Sequence, residues 1–278
     1  VNAVLQSTDG ILALSTPPSP SERLIRSSLL PNLCKAVAKN ERYYGDFAIY
    51  ETAQVFRDEH YTTPYDPREK LPSQRKNVAG AFVSAGKDVT ALFRRAKGVV
   101  EQMPRYTHME AYTLRQAEKP VWADEVAWLN IYLGEDRIGD LALLSKRVSM
   151  ACGIKNVNVM LFQLDQDALV PLRSRTNTFT HLAEYPMTDY DISLLLDGEV
   201  KWADVAQTIG GIKSELLHGA SFVDEYRGKQ VPEGKKSLTA RLIIGSREKT
   251  LTSGEIEEVA NSVIKKLAKR FGAELRSR

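Results

Sequence analysis

Apolar residues recur along this chain in two rhythms. In Asp46–Phe56 every second residue shares a side, so that Phe47, Ile49, Glu51, Ala53 and Val55 form one row, the period-two signature of a strand. Asn77–Ser84, Ala127–Leu133 and Val157–Leu164 read as further strands, with a less regular element at Leu141–Cys152. Helical spacing appears in two places. Leu30-Pro31 opens one helix, since proline fits the first helical position, and Leu33, Ala36 and Val37 give it an apolar face. The second runs over Asp88–Gln102, capped by Asp88, with Val89, Leu92, Phe93, Ala96 and Val99 or Val100 turned inward. Ser15–Ser21 and Tyr61–Ser73, rich in proline and polar residues, are predicted to be exposed connections. Long strands broken by few helices predict a mainly antiparallel sheet in an α+β domain over residues 1–170.

Leu169–Glu184 is polar and without period, which places a linker at 171–184. Beyond it the order is strand (Tyr190–Leu196), helix (Lys201–Ile212), strands (Ala220–Tyr226 and Ser237–Ile244), helix (Ser253–Phe271) and a short strand (Ala273–Arg276). That is the βαββαβ order of a ferredoxin-like domain over 185–278, whose two helices cover one sheet face and leave the other open. Alternation turns Leu238, Ala240, Leu242 and Ile244 toward the helices, and Ser237, Thr239, Arg241 and Ile243 toward the open side.

Composition adds boundaries. The 278 residues, 43% hydrophobic and 26% charged, are ordinary for a soluble protein of two domains. No apolar run reaches the roughly 20 residues that cross a bilayer, and there is no signal-peptide pattern. The chain opens on Val1 within an apolar stretch, as a piece of something longer would. Cys34 and Cys152 lie far apart and form no CxxC pair, which argues against a disulfide framework or zinc cluster and suits a reducing cytoplasm. The four histidines have no metal-ligand spacing, so no metal is expected.

Charge is informative only locally. From Arg227 to Lys249 there are seven bases and two acids, a net +5 inside a chain of net +3. Positive charge gathered on one hairpin beside an aromatic, Tyr226, is what a phosphate-backbone partner needs. Gly228 to Lys236 nearly mimics a P-loop, but five residues separate the glycines where that motif has four, and a second lysine follows. The segment also joins two strands instead of opening a helix, so no helix N-terminus faces a phosphate.

Two blocks carry a resemblance. Phe222–Leu242 (FVDEYRGKQVPEGKKSLTARL), the Thr250-Leu251-Thr252 entry to the last helix and the Arg270–Arg276 ending (RFGAELR) closely resemble the ferredoxin-fold anticodon-binding domain of the bacterial phenylalanine–tRNA ligase β subunit. Ile25–Leu33, Phe47–Phe56 and Val157–Leu169 are similar to that subunit's class II synthetase-like domain. Between Val121 and Ile154 the chain departs from the family's Pro-Gly-Arg and Gly-Glu-Leu-His-Pro runs. The resemblance implies a non-catalytic first domain that docks on the ligase α subunit in an (αβ)₂ assembly. It implies a last domain that binds the tRNA(Phe) anticodon arm, with neither DNA nor membrane as partner. ATP and Mg²⁺ would be used by the whole complex, with no cofactor and no catalytic residue in this chain. The resemblance further implies that the family's editing and N-terminal tRNA-binding modules lie outside this stretch, so no editing is expected of it.

Within that reading Tyr226 is expected to stack a base, and Ser237, Thr239 and Arg241 to read base edges. Arg227, Lys229, Lys235, Lys236 and Arg247 are expected to take phosphates. Phe56-Arg57-Asp58-Glu59 spells the Phe-Arg-x-Glu pattern of ATP-binding class II synthetases, but its glycine-rich partner motif with arginine is absent. A self-sufficient enzyme built around Arg57 and Glu59 is therefore a lesser reading. The other alternative is a stand-alone RNA-binding or protein-interaction scaffold with no ligase role.

Overall fold

Alternating residues of β1 (Asp46–Thr62), β2 (Lys70–Ser84), β3 (Thr113–Arg115), β4 (Ala123–Leu133), β5 (Asp136–Leu144) and β6 (Asn158–Asp165) build one sheet. A computed structural model describes residues 5, 11–19, 23–62, 70–169, 179 and 184–276 and divides the chain into two units, Val1–Asn177 and Thr178–Arg278. The expected linker at 171–184 lies outside the described residues apart from Phe179 and Glu184.

In the first unit the strand order is β1-β2-β6-β5-β4-β3, with every neighbouring pair antiparallel. The helices are α1 (Leu30–Asn40), α2 (Val89–Tyr106) and α3 (Lys146–Ala151). Ala79, Ala81, Val83, Val159 and Leu161 meet Leu33, Cys34 and Val37 of α1 and Val148 of α3 on one face. Phe82, Met160, Phe162 and Leu164 meet Leu92, Ala96 and Val100 of α2 on the other. Where both faces are covered, Val78–Val83 of β2 and Val159–Phe162 of β6 are continuous apolar runs. Asp88 caps α2 as its position predicts, its Oδ1 accepting from Ala91 N at 2.9 Å. Cys34 and Cys152 meet in this core, where a hydrogen bond to Cys152, and then burial, push the Cys34 thiol up.

Two expectations change. The connection predicted over Tyr61–Ser73 is shorter, because β1 continues to Thr62 and β2 starts at Lys70. Pro72 falls where β2 pairs with β1 alone, since pairing with β6 begins at Asn77, and sheets tolerate proline where a strand has one neighbour. The indistinct element at Leu141–Cys152 is the end of β5 followed by α3.

The second unit comprises β7 (Thr188–Asp197), α4 (Trp202–Gly210), β8 (Leu217–Tyr226), β9 (Lys235–Ile244), α5 (Ser253–Phe271) and β10 (Glu274–Leu275). This is the βαββαβ order, and the antiparallel sheet runs β10-β7-β9-β8. Ile192, Leu194, Leu196, Leu238, Ala240, Leu242 and Ile244 pack against Val205 and Ile209 of α4 and Val259, Val263 and Leu267 of α5. Each large side chain buried there contributes roughly 1.5–3 kcal/mol. At the start of α5 Thr252 and Glu255 form a capping box, and Gly272, at φ 62°, closes it in the left-handed region. Hydrogen bonds from Lys249 and Thr252 draw the Glu255 carboxyl down to about 2. Among the described residues no helix is long and apolar enough to cross a membrane.

Candidate nucleic-acid interface

Helices cover only one side of the second sheet, so the other side is set by the residues that alternate away from them. Across β7 and β9 these are the pairs Asp191 with Arg241, Ser193 with Thr239 and Leu195 with Ser237, and Tyr226 of β8 stands opposite Ser237. Ser193 Oγ and Thr239 Oγ1 are 2.9 Å apart. Arg241 donates from Nε and Nη2 to the two carboxylate oxygens of Asp191 at 2.7 and 2.9 Å, and its Nη1 lies 3.5 Å from Asp189. This fork holds Asp191 below its ordinary value and Arg241 above its own.

Residues 227–234 join β8 to β9, two antiparallel strands, as the βαββαβ order predicts. Val231 N donates to Gly228 O at 2.9 Å and Lys235 N to Pro232 O at 3.0 Å, folding the loop on itself. Gly234, at φ 78°, is in the left-handed region, and its carbonyl accepts from Gly198 N at 2.8 Å. Tyr226, 41% exposed, lies over Gly228, where an added Cβ would stand 2.4 Å from the phenol oxygen. The guanidinium of Arg276 is 5.7 Å from the centre of the Tyr226 ring and donates to Gln230 Oε1 at 3.1 Å. An exposed aromatic face and a cation thus come together at the foot of the loop.

The cations are less available than their number suggests. Arg227 pairs with Glu225, Lys235 with Glu274, Lys236 with Glu225, Arg241 with Asp191, and Lys249 with Glu255. Among the described residues that leaves Lys229 and Arg247 of the seven without an ion pair. Lys235 and Lys236, expected in the loop, are the first residues of β9, and Lys236 is 4% exposed with its Nζ 2.8 Å from Glu225 Oε2. Lys236 is therefore no exposed loop cation: it shares the helix-side parity of Leu238, and the alternation used for Ser237 and Thr239 requires that. Burial pushes Glu225 up, but hydrogen bonds from Lys236 and Arg227 outweigh it and hold the carboxyl below its ordinary value. Ser237 is also buried, at 3% exposure.

The expected residues do not form one cluster. Tyr226, Arg227, Lys229 and Lys235 gather at the loop end of β9, whereas Arg247 follows its far end, about 30 Å along a strand of this length. Sequence reasoning missed Arg276, which β10 carries back beside Tyr226, and the acids Asp189, Asp191 and Glu274. The alternation applied to β9 would have placed Asp189 and Asp191 on the open face had it been carried to β7.

Comparison with known proteins agrees with this architecture. Residues 4–166 match the family described as Phenylalanyl tRNA synthetase beta chain CLM domain, and residues 183–276 match the Ferredoxin-fold anticodon binding domain. The chain belongs to the phenylalanyl tRNA synthetase beta chain family. Among curated relatives, the phenylalanine–tRNA ligase beta subunit of Oceanobacillus iheyensis is 27% identical over 276 residues, covering 96% of this chain and 33% of that protein. The Bacillus subtilis subunit is 28% identical over 284 residues, covering 99% of this chain and 34% of its own length. The chain thus spans about a third of the length of the beta subunits it matches. A pyrrolysyl tRNA synthetase from Desulfitobacterium hafniense superposes with a TM-score of 0.45 at 14% identity over 58% of this chain and 52% of that one, a likeness too slight to carry an argument.

Proposed function

We propose that this chain acts as the C-terminal part of a phenylalanine–tRNA ligase β subunit and that its second unit binds the anticodon arm of tRNA(Phe). The observation that carries the proposal is the open face of a matched anticodon-binding domain, where exposed Tyr226 lies beside Arg276 and a loop bearing Lys229, which has no ion pair among the described residues. Unpaired RNA bases stack on aromatic rings while nearby cations neutralise phosphates. Tyr226 then serves as the stacking platform, with Arg276 and Lys229 on the backbone. Thr239 and Arg241 meet base edges only after exchanging present partners, Ser193 and Asp191. In the same proposal the first unit performs no chemistry and docks on the α subunit, where ATP and Mg²⁺ are used, within a cytoplasmic (αβ)₂ ligase.

The test is fluorescence anisotropy with a labelled tRNA(Phe) anticodon stem-loop at several salt concentrations. Tyr226→Ala is expected to cost about 1–3 kcal/mol, as stacked bases do. Lys229→Ala is expected to lower the salt slope by about 1. Binding indifferent to salt and to both substitutions would remove the proposal. Co-purification with an added α subunit tests docking, and an isolated chain that exchanges pyrophosphate into ATP would contradict the non-catalytic role.

A further inference from the structure

The sheet face that carries α1 is apolar over most of its length and turns polar at one end. Ala79, Ala81, Val159 and Leu161 lie buried beneath the helix. One step further on the same face β2 carries Asn77 and then Arg75, β6 carries Gln163 and Asp165, and β1 carries Arg57 beyond Val55. Together with Asp140 and Arg137 of β5 they line a cavity of about 490 Å³ below the start of α1.

Most of these groups are committed. Arg75 pairs with Asp165 at 3.1 Å and Arg137 with Asp140 at 2.8 Å, and Gln163 Oε1 accepts from Ser28 Oγ and Leu29 N, each at 2.8 Å. Two are not. Among the described residues Arg57 has no ion pair, and Asn77, 3% exposed, leaves its Oδ1 without a hydrogen-bond donor. A buried acceptor left unpaired is rare in folded proteins, because nothing repays its desolvation. Among the described residues the cavity therefore offers one free cation and one free acceptor. Its three arginines and two aspartates sum to a single positive charge. A polyanion would meet Asp140 and Asp165, and an apolar molecule would leave both free groups unanswered.

We infer that this cavity binds a small monoanionic carboxylate with an adjacent hydrogen-bond donor, the chemistry of a free amino or hydroxy acid. Its carboxylate lies on Arg57 and its donor on Asn77. Ala53, not Arg57, is opposite Asn77 in the β1–β2 register, so the two groups are four residues apart, about 13 Å between backbones. An arginine side chain and a molecule of that size together close such a gap. The cavity is built entirely from residues of the first unit, and the inference does not rest on the RNA reading of the second.

Isothermal calorimetry on the 278-residue chain decides the matter, with L-serine and L-glutamine as amino-acid probes, L-lactate as the hydroxy acid and pyrophosphate as the polyanion. The expected result is saturable binding of an amino acid or of lactate, weakened about tenfold or more in Arg57→Ala, the loss of one charge-assisted hydrogen bond. Arg57 is exposed, so this variant keeps the parent's melting temperature. Asn77→Val removes the orphaned acceptor, so the unliganded variant is expected to melt no lower than the parent while its affinity falls. No saturable binding of the carboxylates, tighter binding of pyrophosphate, or parental affinity in either variant would each overturn the inference.

Discussion

Lys236 Nζ stands 2.8 Å from Glu225 Oε2 with the lysine side chain 4% exposed, so the most deeply placed cation of the basic hairpin is a structural tie between β8 and β9. Arg227 shares the same carboxylate from the loop side at 2.9 Å. Charge that looks in sequence like a reserve for an anion is here partly spent holding the loop in place, and among the described residues Lys229 and Arg247 are the two of the seven bases without an ion pair.

Lys236→Ala is therefore expected to destabilise the protein by about 1–3 kcal/mol, since it leaves a half-buried carboxylate short of its main donor. Lys235→Ala breaks an exposed pair with Glu274, and its cost should stay below about 1 kcal/mol. Urea denaturation of the two variants checks the difference, and equal losses would contradict the assignment of Lys236 to the fold.

Acid should unpick the cap of α5. The native Glu255 carboxyl titrates at about 2 against an ordinary value of 4.5, so on acidification the unfolded chain takes up a proton before the folded one does. The stabilisation is complete above pH 4.5 and is lost as pH falls toward 2. Melting temperatures recorded between those limits should decline less steeply in Glu255→Gln than in the parent. Parallel curves would show that the cap contributes nothing to acid lability.

Two glycines should respond in opposite senses to the same substitution. A Cβ on Gly139 would stand 2.1 Å from the backbone oxygen of Gln163, where β5 and β6 run side by side, so Gly139→Ala is expected to cost more than about 2 kcal/mol. Gly98 lies inside α2 with nothing within 4 Å of an added Cβ. Gly98→Ala should gain about 0.5–1 kcal/mol from lower unfolded-state entropy and better helix propensity. Thermal melts of both variants provide the check.

What the sequence made legible was the part of the fold governed by near neighbours. Leu238, Ala240, Leu242 and Ile244 are all fully buried, as their alternation requires, and Asp88, Thr252 and Gly272 each punctuate a helix by local chemistry. The candidate site depends on longer range. Arg241 is answered by Asp191, 50 residues earlier, and Lys235 by Glu274, 39 residues later, pairings that exist only once β7 and β10 flank the hairpin. Arg276 reaches Tyr226 through the same closure. Lys236 was a different kind of miss, since the parity that buries it was already written in Leu238.

The fork between Arg241 and Asp191 yields the sharpest test of the RNA face. With both groups more than two-fifths exposed, the pair contributes little to stability, and its main effect is to cancel a cation in the middle of the open sheet. Asp191→Asn leaves Arg241 weakly held and removes one negative charge that an approaching phosphate must otherwise face. If RNA lies on this face, the variant should bind the anticodon stem-loop more tightly than the parent at low salt, with a salt slope steeper by up to about 1. The gain should disappear in the double variant Asp191→Asn/Arg241→Ala, because it is carried by the released guanidinium. Unchanged affinity and slope in Asp191→Asn would place the RNA elsewhere and leave Arg241 as a partner of β7 alone.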